Sequence, residues 1–179
     1  MTSQTHAKGS DLDRLIAIAD PQSDWVMLDV ATGGGHTALK FSPHVKHVTA
    51  VRQSKSIYHR GKRGYNVDFK QADAENLPFD DEQFDFVTCR IAPHHFPNVP
   101  QFVSECARVL KSGGVLLVQD HVLPEDEESA RYVDHFETVR DPSHNRAFNQ
   151  SEWIAMFESA GLTVEHTEEY MKIHDFLDW

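Results

Sequence analysis

The chain has 179 residues, enough for one domain with a sizeable core, and 40% of them are apolar and 25% charged, as in ordinary globular proteins. Twenty-eight Asp and Glu against 17 Lys and Arg leave a net charge of −11, which argues against nucleic acid as a partner. No apolar run approaches the roughly 20 residues of a membrane-spanning helix; the opening MTSQTHAKGSD lacks the apolar stretch of a secretion signal, and two cysteines, Cys89 and Cys106, indicate no disulfide framework, so a cytoplasmic setting is expected.

In chain order, Asp11 to Ala19 reads as a short amphipathic helix (Leu12, Leu15, Ile16, Ala19) stopped by Pro21. Trp25 to Val30 is an apolar strand that runs into a turn with three consecutive glycines, Gly33 to Gly35, and His36 to Phe41 opens a helix beyond it. His47 to Val51, Asn66 to Lys70 and Phe84 to Cys89 read as further strands. Val99 to Leu110 is a helix with Phe102, Val103, Cys106, Val109 and Leu110 on one side. Lys111-Ser112-Gly113-Gly114 carries the signals of its end. Val115 to Gln119 is continuously apolar up to its last residue, as in a strand buried on both faces. Strands alternating with helices predict an α/β fold: a Rossmann-like, doubly wound, mostly parallel sheet flanked by helices.

Beyond Asp120 an acidic run, Pro124 to Ser129, leads into a helix over Ala130 to Val139 with Tyr132, Val133, Phe136 and Val139 at helical spacing. Asp141 to Asn145 is a turn. Ser151 to Ala160 reads as a helix capped by Ser151, with Trp153, Ile154, Met156 and Phe157 apolar, and Gly161 ends it. Leu162 to Tyr170 alternates like a strand, and another helix begins near Trp179.

The strand-to-helix turn over Leu28 to Phe41 (LDVATGGGHTALKF) carries the most chemistry. Glycine lets the backbone approach a ligand with no Cβ between them, and a pocket at the carboxyl end of a first strand suits a nucleotide-like molecule. Three further motifs follow in order: QADAENLPF (Gln71 to Phe79), FDFVTCRIAPHHF (Phe84 to Phe96) and ARVLKSGGVLLVQD (Ala107 to Asp120). Together they resemble a class I S-adenosylmethionine-dependent methyltransferase, and are similar to the small-molecule branch that includes the ubiquinone/menaquinone C-methyltransferases. The resemblance covers about Trp25 to Leu162. It implies a single domain over 1–179, with a core at 25–120 and an acceptor-side cover at 121–160.

The resemblance also assigns roles. Asp29 would lie near the sulfonium and ammonium of S-adenosylmethionine, partly through water and partly by holding the turn. Ala31 stands where the family has glycine; its carbonyl can still accept from the ammonium, while Gly33 and Gly35 keep the floor low. Asp73 would accept from the adenine amino group, with the Ala74 amide at a ring nitrogen. The backbone of Cys89, Arg90 and Ile91 would meet the methionine end. Cys89 itself reads as a small buried filler. S-adenosylhomocysteine would be the product.

Two departures stand out. The family places an acid at the end of the second strand for the ribose hydroxyls; here the position is Arg52, followed by Gln53, and arginine has no acceptor. The stretch Arg52 to Tyr65 is short and holds Arg52, Lys55, Arg60, Lys62 and Arg63 with no acid, and only Ile57 and Tyr58 as apolar anchors. An altered pocket, a degenerate cofactor site and a coding error all explain this. Secondly, nothing after Tyr170 supplies the family's last antiparallel strand. The chain is then a C-terminally truncated fragment, or a homo-oligomer or a partner strand completes the sheet.

Methyl transfer needs alignment, exclusion of water and, for carbon or hydroxyl acceptors, a base. His94, His95 and His121 follow neighbouring strands and are the candidates. No tight metal-ligand spacing occurs, so no metal is expected. Two alternatives remain open. One is an NADP-dependent oxidoreductase, with Gly33, Gly35 and Ala38 fitting G-x-G-x-x-A and Arg52 meeting a 2′-phosphate. The other is a non-catalytic cofactor- or partner-binding domain with a degenerate ribose site.

Overall fold

The computed structural model describes residues 10–53 and 65–170. The elements run α1 (Ser10–Ala19), β1 (Val26–Val30), α2 (His36–Phe41), β2 (His47–Arg52), β3 (Val67–Gln71), β4 (Phe84–Arg90), α3 (Val99–Val109), β5 (Leu110–Gln119), β6 (Val122–Leu123), α4 (Glu127–Arg140), β7 (Phe148–Asn149) and α5 (Gln150–Ser159), with single 3₁₀ turns at Ser42–His44 and Pro93–His95. The basic stretch with Lys55, Ile57, Tyr58, Arg60, Lys62 and Arg63, and the helix expected near Trp179, lie outside the described residues.

Five strands form one sheet in the order β3-β2-β1-β4-β5, every pair parallel. The order reverses direction at β1, between β2 and β4, and in such sheets the crevice for ligands opens at the carboxyl ends there. Residues alternate across β1 as strand geometry requires. Leu28 and Val30 pack into a core under α3 and α5 with Phe84, Val87 and Phe102. Met27 packs into a second core under α1 and α2 with Leu12, Leu15, Phe41 and Phe86. Each core seals one face, so β1 and β4 are almost entirely buried. Fully burying one side chain of this size contributes roughly 1.5–3 kcal/mol.

Four expectations change. Val115 to Gln119 is not sealed on both sides: Val115 to Val118 are only partly buried, because β5 is the outer strand among the described residues. Lys111 to Gly114 does not extend the helix terminus. Leu110 already pairs with Phe84, and the next ladder step joins Val115 to Phe86, so the four residues form an irregularity in the strand. The cap of α5 is Asn149, whose side chain accepts from the Glu152 amide at 2.8 Å while the Glu152 carboxylate accepts from the Asn149 amide at 3.1 Å. Leu162 to Tyr170 forms no strand. Its alternation is real at first (Leu162 and Val164 half-buried, Thr163 and Glu165 exposed), but an alternating segment is a strand only with a ladder partner. Side chains hold it instead: Arg14 pairs with Glu168 at 2.6 Å.

The spacing expected for α4 is correct, but its face is not a core. Tyr132 is 74% and Val139 70% exposed, and no residue of the helix is buried.

Candidate functional site

Parallel pairing brings the carboxyl ends of all five strands to one edge, and with them most residues singled out in the sequence. Register places Val30 beside Cys89, Arg52 beside Gln71 and Arg90 beside Gln119. Cross-links between the outgoing loops tighten the edge: the Thr32 amide donates to the Val51 carbonyl (2.9 Å), the Ala72 amide to Arg52 (3.1 Å) and the Ile91 amide to Gln119 (2.7 Å).

The turn after β1 is wound left-handed at three positions, with φ of +55° at Ala31, +48° at Gly33 and +74° at Gly35. This handedness costs an L-residue about 1–2 kcal/mol. The glycines avoid the cost; Ala31 carries it. A Cβ at Gly35 would meet Phe69 Cε1 and Cζ at 3.2 Å, whereas one at Gly33 would meet nothing nearer than the Ala31 carbonyl oxygen at 3.9 Å. A Cβ therefore has room at Gly33 and little at Gly35.

Asp29 anchors this turn. It is 1% exposed, and three protein donors reach its carboxylate: Thr32 Oγ1 (2.5 Å) and the Ala38 amide (3.1 Å) on Oδ2, and Thr88 Oγ1 (2.8 Å) on Oδ1. Burial outweighs these bonds and pushes its pKa up to about 6. The part of its expected role that the structure supports is holding the turn. Thr32 and Thr88 carry no signature in sequence beyond being polar residues next to buried strand positions.

Asp73 is exposed in the turn after β3, where its Oδ1 accepts from the Glu75 amide at 3.0 Å. Ala74 follows it, half-buried. Arg52 sits half-buried at the end of β2, and the exposed Gln53 gives its carbonyl to Gln71 Nε2 at 2.8 Å. The Arg90 side chain is committed elsewhere. Its guanidinium meets Asp11 on α1 at 2.8 Å and Gln119 Oε1 at 3.1 Å, and the Arg90 and Asp11 side chains are 7% and 10% exposed. What Arg90 offers the edge is its backbone, beside Ile91 at φ +48°. Cys89 is fully buried with its thiol pushed well up by burial, and Cys106 is also buried and unpaired.

The three candidate histidines gather in one place. His94 lies in the turn after β4, 4% exposed. Its Nδ1 meets Asp120 Oδ1 at 2.5 Å, and Asp120 Oδ2 accepts the His94 amide at 2.8 Å. The His121 ring stacks on it at 4.7 Å and 6°, His95 lies at 4.0 Å and His144 at 5.5 Å. Burial, then the neighbouring His94, lowers the His121 pKa. His95 Nδ1 lies 2.9 Å from the Ser143 carbonyl, and His144 Nε2 meets Asp134 at 2.7 Å. No group of three metal-ligating side chains converges on a point among the described residues. Sequence reasoning missed Asp120, although it closes a motif that was read; the bidentate grip on His94 depends on how far the chain turns after Arg90.

A profile described as "Methyltransferase domain" matches residues 28–118, which contain the glycine turn, Asp73 and the His94 turn. YcgJ of Bacillus subtilis, named an uncharacterized methyltransferase, is 42% identical over 170 residues, 92% of this chain and 67% of that protein. The crystal structure of YcgJ superposes with a TM-score of 0.81 at 41% identity, over 88% of this chain and 68% of that one. The UbiE ubiquinone/menaquinone biosynthesis C-methyltransferase of Bartonella tribocorum is 37% identical over 105 residues, 53% of this chain but 40% of its own length. The chain thus spans about two thirds of YcgJ and two fifths of UbiE. None of these likenesses supports the nicotinamide alternative. Fold, motif order and kinship agree that the chain belongs to the S-adenosylmethionine-dependent methyltransferases.

Proposed function

We propose that this protein transfers the methyl group of S-adenosylmethionine to a small-molecule acceptor in the cytoplasm. The observation that carries the reading is the left-handed run Ala31, Gly33 and Gly35, pinned by Asp29 at the carboxyl end of β1, with open space above Gly33. The Ala31 carbonyl and the Gly33–Gly35 backbone would hold the amino-acid end of the cofactor, with the Arg90 and Ile91 backbone opposite. Asp73 would take the adenine amino group, since its Oδ2 has no partner among the described residues, and the Ala74 amide a ring nitrogen. The donor set departs from the family at the ribose: Arg52 offers no acceptor, and the Gln53 side-chain amide is the acceptor next to it. When bound, the cofactor supplies an electrophilic methyl group. The chain's own part is to align the acceptor, exclude water and manage its proton.

A small acceptor suits a net charge of −11 better than nucleic acid does. The UbiE relatives, named C-methyltransferases, favour a carbon acceptor. Residues 121–160 form the acceptor-side cover. The outer side of β5, with no ladder neighbour among the described residues, would pair with a second copy or a partner strand.

A non-catalytic binding domain is the second reading, and Arg52 favours it. Calorimetry with S-adenosylhomocysteine decides between the two. Binding in the micromolar range, about −7 to −8 kcal/mol, supports the enzyme. No heat at millimolar ligand removes it.

A further inference from the structure

Resting on the methyltransferase reading, we propose that His94 is the general base of the transfer, that Asp120 positions it by fixing its proton on Nδ1, and that the acceptor is therefore a proton-bearing nucleophile, a phenolic or enolic hydroxyl or an acidic carbon.

The geometry singles out His94 among the three candidates. Asp120 grips it twice, through the ring Nδ1 at 2.5 Å and the backbone amide at 2.8 Å, so ring and main chain are set by one carboxylate. A carboxylate accepts only, so the Nδ1 facing it carries the proton, and Nε2 is left as the acceptor. Nε2 makes no hydrogen bond among the described residues, yet it is not one of the sealed, unsatisfied polar atoms, as Gln119 Nε2 is. It therefore keeps contact with solvent although the residue is 4% exposed. His95 instead directs Nδ1 at the Ser143 carbonyl, and no carboxylate among the described residues orients the His121 ring.

The surroundings keep the base available. Packed around His94 are Asp120 from the end of β5, His121 beside it, His95 next in chain, and His144, which Asp134 of α4 holds at 2.7 Å. Glu137 and Arg140 act on His121 from the same helix. The His121 ring stacked at 4.7 Å has its pKa lowered, by burial first and then by His94. The loop that closes the cluster is tied on directly: the Asn145 and Arg146 amides donate to the His94 carbonyl at 2.8 and 3.1 Å.

The step balances. The acceptor's X–H bond breaks and its proton goes to Nε2. The electron pair left on X takes the methyl group, and the sulfur departs with the pair of the broken S–C bond. Nε2 then loses the proton to solvent. An acceptor without that proton, such as a thioether, has no use for the dyad.

The test uses the full chain, labelled with ¹⁵N-histidine and titrated with S-adenosylhomocysteine. Failure to bind it removes the methyltransferase reading and this one together; saturation leaves His94 alone under test. At pH 8 the nitrogen shifts are expected to show a protonated Nδ1 and a bare Nε2 on His94. Asp120→Asn keeps an oxygen for the backbone amide but turns an NH₂ toward the ring, so the proton is expected to move to Nε2 with cofactor affinity within about twofold. A wild-type His94 protonated on Nε2, or an Asn variant with an unmoved proton, overturns the proposal. In turnover with S-adenosylmethionine and a panel of catechols, hydroquinones and 1,3-diketones, His94→Gln is expected to lower kcat about 10²–10³-fold with the cofactor KM unchanged. An unchanged rate in His94→Gln, faster methylation of dimethyl sulfide than of any panel member, or no turnover across the panel overturns it.

Discussion

Thr88 donates its hydroxyl to Asp29 at 2.8 Å across the β1–β4 pairing in which the two residues are register partners. Together with Thr32 and the Ala38 amide, this bond makes a buried carboxylate the hub of the glycine turn. The hub joins both strands of the switch point to the first turn of α2, so the shape of the ligand floor depends on it.

Burial sets how that carboxylate titrates. Its folded pKa of about 6 lies above the ordinary 3.8. The folded state therefore holds the proton more tightly than the unfolded chain. The associated stability is fully present below about pH 4 and is lost as pH rises through 6, by at most about 3 kcal/mol. Asp29→Asn removes the titrating group, while its amide can still bond both threonines and the Ala38 amide. Urea denaturation from pH 4 to 7 should show wild type losing stability relative to Asp29→Asn. A constant difference would falsify the assignment. Asp29→Ala strands the Ala38 amide and is expected to cost about 2–4 kcal/mol at any of these pH values.

The two glycines of the floor separate strain from ligand space. Gly35→Ala meets both a positive φ and the Phe69 ring, and is expected to lose about 2 kcal/mol of stability. Gly33→Ala meets only the positive φ, about 1 kcal/mol, but places a methyl group in the open space above the floor. Thermal melts and S-adenosylhomocysteine titration of both variants check this. Gly33→Ala should be the milder in stability and the more damaging in affinity, relative to its melt.

At the end of β2, Arg52→Asp restores an acceptor for the ribose hydroxyls. Affinity for S-adenosylhomocysteine should rise by about 1–3 kcal/mol, roughly 5- to 150-fold. The Arg52 backbone keeps its bond from the Ala72 amide in the variant. An unchanged affinity would show that the end of β2 does not face the ribose.

The Arg90–Asp11 pair ties α1 to the end of β4 with both side chains nearly sealed. Arg90→Met should destabilise by about 3–5 kcal/mol, because it leaves the Asp11 carboxylate in a buried site. Combining it with Asp11→Leu should recover much of that loss. Equilibrium unfolding of the three variants measures the coupling. Strictly additive losses would contradict a direct pair.

Much of this was legible in sequence, and the limits have physical causes. The strands β1, β2 and β4 stood out because burial on both faces keeps them mostly apolar. The four motifs located the glycine turn, Asp73 and the histidines because each lies just past a strand end, and a parallel sheet collects such ends. Leu162 to Tyr170 misled because alternation reports which side chains can face a surface, not whether a neighbouring strand exists. Helical spacing was right for α4, but spacing does not say what a face packs against, and Tyr132 and Val139 stand 74% and 70% exposed. The hydrogen bonds of Asp29, the ion pair that occupies Arg90 and the grip of Asp120 on His94 are tertiary. They join residues 26 to 79 positions apart, or hinge on one backbone turn, and leave no periodic trace.

In the proposed function the floor after β1 holds the sulfur-bearing nucleoside. A crystal structure of the protein with S-adenosylhomocysteine tests it most directly. The amino-acid end is expected over Gly33 and the adenine amino group within hydrogen-bonding distance of Asp73. A ligand bound anywhere else, with the space above Gly33 filled by the protein's own side chains, would contradict it.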